Sequence, residues 1–360
     1  MKKIYITYGI FWLIAMLIVF QFSRISATQS QINENLNQNQ FTKGKIVQIN
    51  DENFYVQLLD EENRIIRTEL SDFYIHDDYK TGDMVSVYIS ELEDGKTQYD
   101  IADYYHFDGL LLAFVLFCIL AIFIARKKGF YSIISVVISL FFFYTIILNA
   151  VQIGTSVILA GIIYVLLITI LTIPLIHGFN KKSASAIIAV NIGYVIGFIL
   201  TYLFTAVIQI GHTPSEEFRI LLIQFPDVNI HQILIVSLFL GAVGALIDVA
   251  VTICSAIFEG MKEHPELTFS KTYKLGMGVG KDILGSMINT LLLAYLAASF
   301  PFLVLMTLAK FNNIYEFLNY DFVALELARI FIGAASIILL IPITSITAAY
   351  LILKKVNIHK

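Results

Sequence analysis

Between Lys128 and Lys181 the chain carries no Asp, Glu, Lys or Arg. A charge-free run of about 50 residues is too long for one buried element of a soluble domain, whereas a hydrocarbon core about 30 Å thick takes up about 20 residues of helix. The run therefore predicts two membrane-crossing helices, at about 130–148 and 154–176, joined by a polar hairpin at 149–154. The rest of the chain repeats the pattern, with 58% hydrophobic and 14% charged residues against about 45–50% and 25% in soluble domains.

Further apolar runs at 4–22, 109–125, 184–210, 231–258, 276–299 and 326–353 bring the expected number of spans to eight. Residues 300–310 are too short to cross and read either as a re-entrant piece or as an extension of the preceding helix kinked at Pro301. Basic residues of short loops favour the cytoplasm. Lys2 and Lys3, Arg126 to Lys128, Lys181 and Lys182, Lys262, Lys271 and Lys274, and Lys354, Lys355 and Lys360 then all fall on one side. Both termini are expected in the cytoplasm, with residues 23–107 outside, in a cell-membrane protein. Residues 1–22 read as a signal anchor, although the small, polar stretch 23–30 leaves room for a cleavage site. Cys118 and Cys254 both lie in apolar runs, without the spacing of a disulfide framework or a metal cluster.

The segment outside is different in kind. Residues 23–107 hold 7 Lys/Arg against 16 Asp/Glu. Residues 23–40, rich in Gln and Asn, read as a flexible spacer. From 41 to 107, period-two alternation at 43–49, 54–59, 64–70, 84–89 and 98–104, broken by Asp/Asn/Gly turns, predicts a small antiparallel β-barrel or sandwich of about five strands. The acidity fits a solvated face.

The stretch 241–301 departs from a generic membrane pattern. Its first helix carries Asp248, Thr252, Ser255 and Glu259 at i, i+4, i+7 and i+11, and its second carries Asp282, Ser286 and Asn289 at i, i+4 and i+7, beside Lys281. Such spacing places each set on one helix face. With Glu259 at the inner boundary, Asp248 lies about 16 Å deep, near mid-membrane. Lys281 and Asp282 are expected near the inner surface, where they can snorkel. Gly241 and Gly244 on one helix, and Gly276, Gly278, Gly280 and Gly285 on the other, suit close helix packing. The alternating glycines 276, 278 and 280 also suit a broken helix with free backbone groups. Gly280-Lys281 is followed by Asp282 and not by Ser or Thr, so a phosphate-binding loop is excluded. Asn191, near Gly193 and Gly197, either joins the same cavity or packs.

The run Gly241-Ala-Val-Gly-Ala-Leu-Ile-Asp248-Val-Ala, followed by Gly280-Lys281-Asp282-Ile-Leu-Gly285-Ser-Met-Ile-Asn289-Thr290-Leu-Leu-Leu-Ala294-Tyr295, resembles the YibE/F-like family of multi-pass bacterial membrane proteins. The resemblance implies both motifs and, in the longer members, an extracytoplasmic β-domain behind a first span. It implies no settled reaction. It does imply paired products, one lacking the N-terminal domain, and hence a hetero-oligomer.

The fold expected is a polytopic α-helical membrane protein of about 8 spans, with a small extracytoplasmic all-β domain between the first and second. The seven-span helical domain covers 108–355 and a cytoplasmic tail 356–360. Inserting Asp at a helix centre costs about 2.5–3.5 kcal/mol, so packing alone does not favour Asp248. The function expected is a transporter or permease core for a small solute or ion, with Asp248, Thr252, Ser255, Lys281, Asp282, Ser286, Asn289 and Asn191 lining its path. The alternative is an envelope scaffold or sensor whose β-domain binds a ligand or partner. An enzyme is not expected, because no catalytic constellation is visible and Cys254 lies largely on another face from Asp248. His231 and His264 lack metal-ligand spacing. No cofactor, metal or nucleic acid is expected; the partners are the lipid bilayer and either a second copy or a shorter homologous membrane protein. Glu326 and Arg329, at i and i+3, are expected to form a local pair.

Overall fold

In a computed structural model, residues 40–50, 53–59, 63–70, 79–91, 96–210, 218, 221–223, 225–226, 228–308 and 313–356 are described. The expected signal anchor and nearly all of the spacer lie outside them. The chain forms two compact units, Met1–Ile124 and Ala125–Lys360.

In the first unit, β1 (Gln40–Asn50), β2 (Asn53–Leu58), β3 (Ile65–Leu70), β4 (Met84–Glu91) and β5 (Thr97–Tyr104) close into a barrel in the order β1-β2-β3-β5-β4. The alternation seen in the sequence is the pleat: Phe54, Val56 and Leu58 point inward, and Asn53, Tyr55 and Gln57 between them are half-exposed. Ile46, Val85, Val87 and Ile101 complete the core, all fully buried. One part of the expectation needs correction: the sheet is not wholly antiparallel, since β3 and β5 pair parallel at Glu69–Asp100 and Leu70–Ile101. That parallel seam and the closed order are those of an OB-type barrel. Below the barrel, Lys43 Nζ bonds Asp108 Oδ2 at 2.6 Å and stands 4.5 Å from the centroid of the Tyr105 ring. This ties β1 to the start of α1.

Helix α1 (Phe107–Phe142) runs on through a π-helical turn (Phe143–Leu148) into α2 (Asn149–Gln152). Its 46 residues would be about 70 Å long as one helix, over twice the hydrocarbon thickness. It is broken at Arg126, whose φ of 51° and ψ of −125° are not helical. The break falls in the basic cluster Arg126 to Lys128 and separates two apolar stretches. The remaining helices are α3 (Val157–His177), α4 (Lys181–Ile208), α5 (Ile230–Glu263), α6 (Phe269–Ala298), α7 (Phe300–Leu308), α8 (Ile314–Leu318) and α9 (Asp321–Val356). Ser299 separates α6 from α7, and the Leu303 N–H still bonds its carbonyl at 3.0 Å, so α7 continues directly from α6. Pro301 sits in the first turn of α7, where its missing N–H costs no helical bond.

Helices α5 and α6 extend further than hydropathy marks. The loop expected at 261–275 shrinks to residues 264–268, because a helix end in water needs no apolar residues. Among the described residues, five helical segments are long and apolar enough to cross a membrane: Phe107–Gln152, Val157–His177, Lys181–Ile208, Ile230–Glu263 and Asp321–Leu353. Helix α6, expected to span, is outside that set because it carries Lys271, Lys274, Lys281, Asp282 and Asn289.

In the second unit α4, α5 and α6 all pack on α9. Its buried Ala328, Ile332, Ser336, Ile337, Leu340, Ser345, Ala348 and Ala349 face them. Gly276 and Gly280 let α6 approach closely: a Cβ on Gly276 would stand 2.6 Å from Ser345 Oγ and 2.7 Å from Ile257 Cδ1, and one on Gly280 would overlap Ile341 Cγ2. Gly280→Leu is expected to lower stability by about 1–3 kcal/mol through overpacking, read as a lower melting temperature of the purified protein in detergent.

Candidate functional site

Helix α6 is built with two chemically distinct sides. Thr272, Gly276, Gly280 and Leu291 are buried against its neighbours. Gly278, Lys281, Asp282, Gly285, Ser286, Asn289 and Thr290 are exposed. On α5, Gly244, Asp248, Thr252 and Glu259 are likewise exposed and Ser255 is half-buried. The two stripes expected from helical spacing are therefore present, but they do not close on one another around an internal path. They form an open polar face on adjacent antiparallel helices.

The Gly276–Ile257 and Gly280–Ile253 contacts fix the register. Asp248 is level with Gly285, Thr252 with Lys281, and Gly244 with Asn289. Asp282 is thus only three residues, or about 4.5 Å, shallower than Asp248. Along the helix axes Lys281 and Asp282 thus lie about 6 and 4.5 Å from the level of Asp248, closer to it than the expected depths placed them.

The glycines divide into two groups. Gly241, Gly276 and Gly280 are packing positions, where a Cβ would meet Tyr295, Ser345 or Ile341. Among the described residues, Gly244, Gly278 and Gly285 have nothing within 4 Å of an added Cβ. Helix α6 is unbroken from Phe269 to Ala298, so the broken-helix expectation for Gly276 to Gly280 is overturned. Each glycine keeps its ladder bonds because neighbouring packing holds the helix.

The α6 hydroxyls of the stripe are satisfied locally. Ser286 Oγ donates to the Ile283 carbonyl at 2.8 Å, and Thr290 Oγ1 to that of Ser286 at 2.8 Å. Glu259 accepts from Lys262 Nζ at 2.9 Å as a surface pair. Asn191, on α4, donates through Nδ2 to the Ile187 carbonyl at 2.8 Å, and its Oδ1 is buried with no donor among the described residues. It bonds its own helix, and neither side of its amide bonds α5 or α6.

A second polar cluster carries less weight in the sequence than its geometry warrants. Arg329 Nη1 bonds both carboxylate oxygens of Glu326, at 2.7 and 2.9 Å, with side chains 19% and 14% exposed. The guanidinium lies 5.4 Å from the centroid of the Tyr295 ring, and Gly241 packs against both Tyr295 and Arg329. The pair therefore joins α5, α6 and α9. The available signal was Tyr295 and Gly241 lying within the same two motifs. His231 lines a half-open cavity of about 130 Å³ with Tyr202, Thr205, Gln209 and Ile235. Among the described residues no three His, Cys, Asp or Glu side chains gather as a metal site.

Apolar helices of this length around a packed helical core, with a small β-barrel ahead of them, define an α-helical membrane protein with an N-terminal β-domain. The sequence matches the model of the YibE/F-like protein family over residues 113–354, more than half of the chain, and the chain belongs to that family. Residues 35–102 are similar to the S1 RNA binding domain, in keeping with the OB-type strand order. No curated protein and no solved structure matches the chain.

The Arg329 cluster makes the first test of this region. Arg329→Met, which leaves the mostly buried Glu326 carboxylate without its cation, is expected to cost about 3 kcal/mol. Glu326→Gln combined with Arg329→Met is expected to recover most of that, measured as thermal stability in detergent.

Proposed function

We propose that the chain is the core of a transporter or permease that moves a small solute or ion along the open face of α5 and α6, with Asp248 as its proton- or cation-binding carboxylate. One observation supports this above the rest. Asp248, Thr252, Lys281, Asp282 and Asn289 share one face within about 12 Å along the helix axes, on helices whose other sides are apolar. Ionisable groups at that depth are costly and mark pathways and relays in membrane proteins. In this reading α6 crosses the membrane despite its charges, giving eight spans with residues 4–22, both termini cytoplasmic, and the barrel outside the cell membrane. The chemistry is binding and passage, not catalysis, and needs no cofactor.

The barrel's likeness to an RNA-binding domain does not extend to its charge. Nucleic-acid affinity comes largely from Lys and Arg neutralising phosphates, and residues 23–107 carry 7 of these against 16 Asp/Glu. We take its partner to be something other than nucleic acid.

Reconstituted in liposomes loaded with a pH-sensitive dye and driven by a potassium diffusion potential, the wild type is expected to carry a proton or sodium flux. Asp248→Asn is expected to reduce that flux at least about tenfold while inserting and purifying normally. If the wild type matches protein-free liposomes for H⁺, Na⁺ and K⁺, the cation reading of Asp248 is wrong. Loss of insertion in Asp248→Asn would make the acid structural.

A second reading, an envelope sensor, draws on the Lys43–Asp108 bond and the Lys43–Tyr105 contact that fasten the barrel to α1. Deleting residues 40–105 separates the two. A self-sufficient transport core keeps its flux, while a sensor loses all function in cells.

A further inference from the structure

Helix α6 lies at the edge of the helical unit and presents to the outside the side that lipid tolerates least. Along that side Gly278, Asp282, Gly285, Asn289, Leu292 and Leu296 follow one another at alternating steps of four and three residues. This is the seam spacing of two parallel helices wound left-handedly around each other. Gly278, Asp282, Gly285 and Asn289 are exposed, Leu296 is 38% exposed, and Leu292 is half-buried.

We infer that this seam is the contact surface for a second copy of the same chain, with α6 packed in parallel against α6 of that copy about a two-fold axis normal to the membrane. The inference rests on the proposal that α6 crosses the membrane, and not on what the face transports. Three features commit it to a copy. A two-fold axis brings each residue opposite itself at equal depth, so Asn289 meets Asn289 of the copy. A carboxamide both donates and accepts, so it can satisfy its own twin, and a single Asn in such a seam fixes register and partner number. The same axis sets Asp282 opposite Asp282, and Lys281, which flanks the seam in each copy, supplies two cations to offset those two carboxylates. Gly278 and Gly285 leave open space where a Cβ would stand, so the facing backbones can approach closely. Such a pair covers the polar face of α6 beside Asp248.

The test uses full-length protein in native membranes. Cys254 is fully buried and is kept, while Cys118 is replaced by Ala. In that background Asn289→Cys and Gly285→Cys are expected to form disulfide-linked dimers on mild oxidation. Val195→Cys, 61% exposed on α4, is expected to stay monomeric. Equal linking at all three positions, or none at 285 and 289, overturns the pairing. Labelling of Asn289→Cys by a membrane-impermeant maleimide separates the causes of failure. Rapid labelling shows that α6 stands in water and overturns the membrane reading as well, whereas protection without cross-linking overturns the pairing alone. Gly285→Leu supplies an independent measurement, because among the described residues nothing lies within 4 Å of a Cβ added there. It is expected to weaken association about tenfold, by energy transfer between labelled copies diluted in vesicles, with the melting temperature of the subunit unchanged. Unaltered association in Gly285→Leu overturns the seam.

Discussion

Hydrocarbon offers no hydrogen-bond partner, and this fold meets that constraint chiefly by turning buried Ser and Thr hydroxyls back on their own helices. Thr169, Thr172, Thr201, Thr205, Ser336, Thr344 and Ser345 are all buried, and each donates to the carbonyl four residues earlier at 2.6–2.9 Å. A hydroxyl bonded in this way presents little more than a methyl-sized surface to the next helix. Small satisfied residues are what allow α9 to serve as the helix on which α4, α5 and α6 pack. Ser345 fits beside Gly276, and Ser336 Oγ beside Gly197 at 3.2 Å from where a Cβ would be. Bonds between helices are fewer: Thr169 and Tyr194 share one at 3.1 Å, and Gln232 accepts from the Val157 N–H at 2.9 Å. The core is held by contact, with polar groups neutralised before they reach it.

The same constraint sorts the candidate site. Ser286 and Thr290 are satisfied by their own helix and carry no evidence of a ligand. A carboxylate has no donor to offer a carbonyl, and a Lys281 ammonium is not neutralised by one. Asp248, Lys281 and Asp282 therefore remain as the groups for which the helix itself provides no solution. Together with Asn289 they lie on one open face within about 12 Å along the helix axes, and each acid placed in lipid would cost about 2.5–3.5 kcal/mol.

Much of this was legible in the residues. Apolar runs located the long helices of the second unit, and period-two alternation located all five strands within a residue or two, save that β1 begins at Gln40. Hydropathy reports where lipid ends, however, and not where a helix ends. Glu263 and Lys271 are helical although polar, so the loop between α5 and α6 was overestimated. Alternation likewise gives a strand its faces without naming its neighbours, which left the parallel β3–β5 seam unread. The direction of the stripes was hidden for a related reason. Gly276, Gly278, Gly280 and Gly285 are chemically identical, yet two of them touch α9 side chains and two face open space. Helical period states which residues share a side, and only the packing of α5 and α9 decides which side is taken.

That choice of side bears on how the molecule works. A membrane subunit meant to stand alone gains most by placing its least apolar helix at its centre and its most apolar ones against lipid. Here the arrangement is inverted: α9, apolar through its middle, is central, and α6, with Lys281, Asp282 and Asn289, is peripheral. Gly276 and Gly280 hold α6 in that position firmly, so the inversion is built into the packing and is not a loose end of the fold. An edge helix that is tightly held on its apolar side and polar on the other leaves Lys281, Asp282 and Asn289 on the side that the described residues of its own unit do not cover.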